Sequence, residues 1–90
     1  MQAFLDLLGK KVRDRVTSLE GIVSSVSFDL YGCVQVAVSP GKDKDGTLLD
    51  SYWFDWKRLE VLDHNRAMPL PEYKEPGSEI GAAEKPVRGP

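Results

Sequence analysis

The sequence predicts a mainly β domain of five short strands with a short helix before them and an extended proline-rich tail behind, and three observations carry this. Apolar and polar residues alternate over several stretches between Lys11 and Leu62, prolines and glycines bound those stretches, and prolines recur from Pro69 onward while apolar residues thin out.

Residues 2–8 set Phe4, Leu7 and Leu8 on one side of a helix ending at Gly9. Two turns are marginal alone, so that side must cover the end of the β core or a neighbouring protomer. In KKVRDRV the period becomes two: Val12, Asp14 and Val16 face one way, and Lys11, Arg13 and Arg15 the other. After the turn TSLEG, a second strand alternates Ile22, Ser24, Val26 and Phe28 against Val23, Ser25 and Ser27. Asp29 to Gly32 reads as a tight hairpin turn. A third strand sets Val34, Val36 and Val38 against Cys33, Gln35 and Ala37, and stops at Pro40, which cannot donate to a ladder.

Residues 40–51 mix proline, glycine and charge as solvated loops do. Beyond them Tyr52 and Phe54 oppose Trp53 and Asp55, then Leu59 and Val61 oppose Glu60 and Leu62. The intervening Trp56-Lys57-Arg58 suits one turn of 3-10 helix at a corner before the last strand. Helix and strands occupy residues 1–66. The tail is 67–90, where Leu70, Tyr73, Ile80 and Val87 are too sparse for a core of their own.

Ninety residues with 41% hydrophobic and 29% charged side chains are enough for one compact domain and too few for two. No apolar run approaches the roughly 18–20 residues of a membrane span, and the N-terminus lacks the pattern of a cleaved leader. Together with a single cysteine, which allows no internal disulfide, this leads to the expectation of a cytoplasmic protein.

No residue set announces catalysis. Cys33 reads as a small core residue, and the only histidine, His64, lies beyond the last strand, so no nucleophile and base are paired. The KDKDG stretch lacks the ligand positions of a calcium loop, and neither phosphate-cradling glycine motif occurs. A non-enzymatic chain without metal or cofactor is therefore expected. Asp14, sharing a face with Val12, reads as a carboxylate at the rim of the core bonded to backbone amides or an arginine; the sharper alternative is a polar determinant in a ligand pocket. Lys10, Lys11, Arg13 and Arg15 form a basic cluster that closure of the sheet would set beside the aromatics of residues 52–56. Basic plus aromatic is a nucleic-acid or nucleotide signature, but a net charge of -2 opposes broad electrostatic binding to a duplex, and the preferred reading is a solvated strand face interacting with acidic neighbours. Four aromatics in five residues cannot all be buried in one small core, so Trp53 or Trp56 should lie at a contact surface.

The segment KKVRDRVTSLEGIVSSV, with Gly21 entering the second strand, resembles the opening of KOW and Tudor domains of the Src-homology-3-like small-barrel superfold, and WFDWKRLEVL resembles that fold's penultimate strand, helical corner and closing strand. The whole stretch from Lys11 to Leu62, particularly DLYGCVQVAV with SYWFDWKRLEVL, is similar to small uncharacterised proteins encoded by tailed bacteriophages and prophages. The resemblance implies a five-stranded small barrel in an infected bacterial cytoplasm, serving as an accessory or host-modulating protein, and it transfers no catalytic residue.

These readings converge on a protein-binding module, self-associating into a homo-oligomer, with Trp53 and Trp56 on its surface. Leu70 or Tyr73 of the tail is expected on those aromatics in the same or a neighbouring chain. The alternative is a sequestering protein that holds a nucleotide between protomers, with Arg13, Arg15 and Arg58 on phosphate and Trp53 on the base. A KOW-like RNA or DNA binder is the third.

Overall fold

Alternation becomes strand pairing from Lys11 onward in a computed structural model that describes residues 2–72. Strands β1 (Lys11–Asp14), β2 (Glu20–Phe28), β3 (Val34–Ser39), β4 (Tyr52–Asp55) and β5 (Leu59–Asp63) form one antiparallel sheet of order β4-β3-β2-β1-β5. The helix α1 (Gln2–Leu5) precedes them, and a 3-10 turn (Trp56–Arg58) lets the chain leave β4 at one edge and return beside β1 at the other. Asp55 starts that turn by accepting a 2.9 Å hydrogen bond from the Lys57 amide.

The core is Val12, Val23, Val36, Val38 and Phe54, with Leu7, Leu8, Leu19, Val26, Leu59 and Val61 packed around it. Gly21 is buried opposite Val12, and a Cβ there would stand 2.4 Å from the Ser39 carbonyl oxygen, so only glycine lets these backbones approach.

Four sequence expectations change. The helix is one turn, because the Leu7 and Leu8 amides bond back three residues, to Phe4 and Leu5, and tighten the chain into turns up to Gly9. β1 ends at Asp14, whose carboxylate accepts from the Thr17 amide and bends the chain, leaving Val16 72% exposed. A register shift between Val23 and Ser25 breaks the alternation of β2, so Val23 and Val26, three apart, both pack into the core. Cys33 is exposed rather than buried, since it lies in the hairpin before β3 begins, where its amide donates to Asp29 Oδ1.

Candidate functional site

Two ion pairs leave β1 on opposite faces of the sheet and fix what the arginines can do. Asp14 is fully buried. The guanidinium of Arg58 forks onto both its oxygens, Nε to Oδ1 at 2.8 Å and Nη2 to Oδ2 at 2.7 Å, and the amide and hydroxyl of Thr17 also donate to Oδ2. The hydrogen bonds from Arg58 hold this carboxyl far below the ordinary carboxylate range, against its burial, with Thr17 adding to them. Arg58 also lies 5.1 Å from the Phe54 ring centroid. It joins the corner before β5 to the β1–β2 turn.

On the other face, half-exposed Arg13 donates through Nε and Nη2 to a single oxygen of Glu60, at 3.1 and 2.7 Å, and its Nη1 is 3.7 Å from Glu20. Glu60 is held below its ordinary range by the Arg13 hydrogen bonds. Lys11 is 3.8 Å from the same Glu20. The neighbours of the basic cluster are thus carboxylates of β2 and β5, because β2 and β3 separate β1 from the aromatics of β4. Arg15 is exposed, and among the described residues its side chain makes no ion pair.

The aromatic residues lie mostly outside. Among the described residues Phe54 is the only one in the core, whereas Tyr52 and Trp53 are each 52% exposed and Trp56 is 40% exposed. Trp53 pairs with Ala37 on the outer face of the sheet, and β4 forms one edge of that sheet. Trp56 meets the Phe4 ring edge-on at 5.2 Å, and Phe4 meets Phe28 at 5.9 Å, so α1 closes over Trp56 and leaves Trp53 uncovered.

Leu70 is half-buried in an apolar groove of about 370 Å³ shared with Leu8, Ile22, Val23 and Met68. Among the described residues the lining includes no aromatic side chain, neither Trp53 nor Trp56. A clasp brings the chain to this groove: Arg66 donates to the Leu8 carbonyl at 3.0 Å and the Ala67 amide to the Gly9 carbonyl at 2.7 Å, steering the chain toward β2. Tyr73 lies outside the described residues.

Sequence reading passed over Leu30 and Tyr31, two large apolar residues in the β2–β3 turn, 90% and 86% exposed. Their presence at turn positions that polar residues usually fill was the available signal. Among the described residues no group of His, Cys, Asp and Glu could hold a metal ion, and no helix is long and apolar enough to cross a membrane. No family model, curated protein or solved structure matches this chain.

Proposed function

We propose that this chain is a non-catalytic protein-binding module of the Src-homology-3-like small-barrel type, and that it associates with itself through the aromatic flank of β4. The observation that carries the reading is the exposure of Tyr52 and Trp53, each 52%, on an edge strand of a sheet whose core is mostly valine. Tryptophan and tyrosine anchor interfaces more than other residues, and an edge strand offers unpaired backbone groups beside them. The barrel assignment draws support from the four-stranded meander, the 3-10 turn after β4 and the return of β5 to β1. Nucleotide sequestration is the weaker reading, because Arg13 and Arg58 would have to exchange Glu60 and Asp14 for phosphate. The resemblance to small phage-encoded proteins extends the proposal to antagonism of a host function, such as a defence system, or support of virion assembly in the bacterial cytoplasm.

Sedimentation equilibrium of the full chain and of Trp53→Ser tests this. The reading expects an oligomer whose dissociation constant rises about tenfold or more in the variant, as for an interface anchor. An oligomer equally stable in both would reject the flank as the interface.

A further inference from the structure

We propose that the β2–β3 turn is a docking knob and that its receptor is the apolar groove between β2 and residues 67–71 on a second copy of the chain. The inference rests on the reading of the chain as self-associating and adds to the β4 flank a second contact surface, separate from Trp53.

The knob is an ordered structure rather than a loose loop. Asp29 Oδ1 accepts 2.9 Å hydrogen bonds from the amides of both Tyr31 and Cys33. The Asp29 amide donates to the Cys33 carbonyl at 3.1 Å, and Gly32, at φ 87°, takes the left-handed conformation that closes the turn. Leu30 and Tyr31 therefore project from a held backbone at 90% and 86% exposure. Holding apolar side chains in place before contact reduces the entropy lost on docking.

The receptor is equally defined. Leu8, Ile22, Val23, Met68, Pro69 and Leu70 line a groove of about 370 Å³, a size suited to a pair of side chains such as Leu and Tyr. Lys10 borders the groove through its backbone, its carbonyl accepting from the Val23 amide at 3.0 Å, and Asp29 lies at the base of the knob, so the two bodies carry opposite charges. The knob cannot reach its own groove. Val23 lies in the first half of β2 and Leu30 stands in the turn beyond its far end, about 23 Å away at roughly 3.3 Å per residue. A knob beyond the end of the strand and a groove beside its first half are two different surfaces, so they make a heterologous contact, which closes in a ring or extends.

Sedimentation velocity on full-length chains provides the test, with Leu30→Ser/Tyr31→Ser as the knob variant and Met68→Asp as the groove variant. All three positions are well exposed, so both variants should keep the wild-type melting temperature. Each should associate about tenfold more weakly than wild type or worse. Mixed in equal amounts, they should form a complex holding one copy of each, since one retains the groove and the other the knob. Undiminished association of the knob variant, or failure of the mixture to form that complex, would overturn the knob and groove. If Trp53→Ser alone dissociates the chain, the β4 reading stands without this one; a monomeric wild type removes both.

Discussion

Asp14–Arg58 and Arg13–Glu60 are neighbouring ion pairs that both tie β1 to the segment around β5, and they differ in almost everything else that sets energy. The first has a fully buried carboxylate, a fork onto two oxygens and a third donor residue in Thr17. The second is half-exposed, and both arginine bonds fall on one oxygen. Water competes for the outer pair and is excluded from the inner carboxylate, so equal chemistry gives a clamp in one place and a solvated contact in the other. For function, two of the three arginines that the sequence offers to an anion, Arg13 and Arg58, already hold a carboxylate.

The largest effect should come from Val36→Asp, which puts a second carboxylate in the same core, at a position 0% exposed and with no arginine opposite it. An unpaired buried charge costs several kcal/mol, about the whole stability of a small domain, so circular dichroism should show an unfolded chain. Next is Asp14→Ala, which strands Arg58 and frees the Thr17 donors. The melting temperature should fall by roughly 10–15 °C, and a loss no greater than that of the outer pair would erase the distinction between the two.

Acid gives a milder and graded version of the same break. The carboxyls of Asp14 and Glu60 both titrate lower in the folded chain than their usual values. Their stabilisation is therefore complete above the unfolded carboxylate range of about pH 4, and it is lost as pH falls toward the depressed folded values. Urea midpoints should decline below about pH 5, and Glu60→Gln should leave most of that decline in place. The smallest effect belongs to Arg13→Ala, expected to lower the melting temperature by only a few degrees, roughly, and by less in high salt.

Sequence reading reached the fold through side chains that answer to their neighbours in the chain. The valines of β3, Phe54 and the corner begun by Asp55 follow from period and turn chemistry alone. The inward Asp14 was also legible, because it shares parity with Val12. Its partner was not, since 44 residues separate Asp14 from Arg58 and no local pattern links them. The Ser24 region hid for a related reason: an inserted residue in one strand becomes visible only against the strand it pairs with. Cys33 was misplaced by a single residue of strand boundary, which in a hairpin is the difference between core and solvent. The partners of Arg13, on β2 and β5, likewise depend on a strand order that alternation does not encode.

A closed interior and an open aromatic flank are two halves of one claim, and Trp53 reports on the second directly. In a Trp56→Phe chain, which keeps an aromatic ring against Phe4, Trp53 is the only tryptophan and its fluorescence can be followed over a wide range of protein concentration. The account predicts red-shifted emission and ready iodide quenching when dilute, giving way to a blue shift and protection as copies associate. Emission and quenching that stay constant while sedimentation shows the chain associating would contradict it.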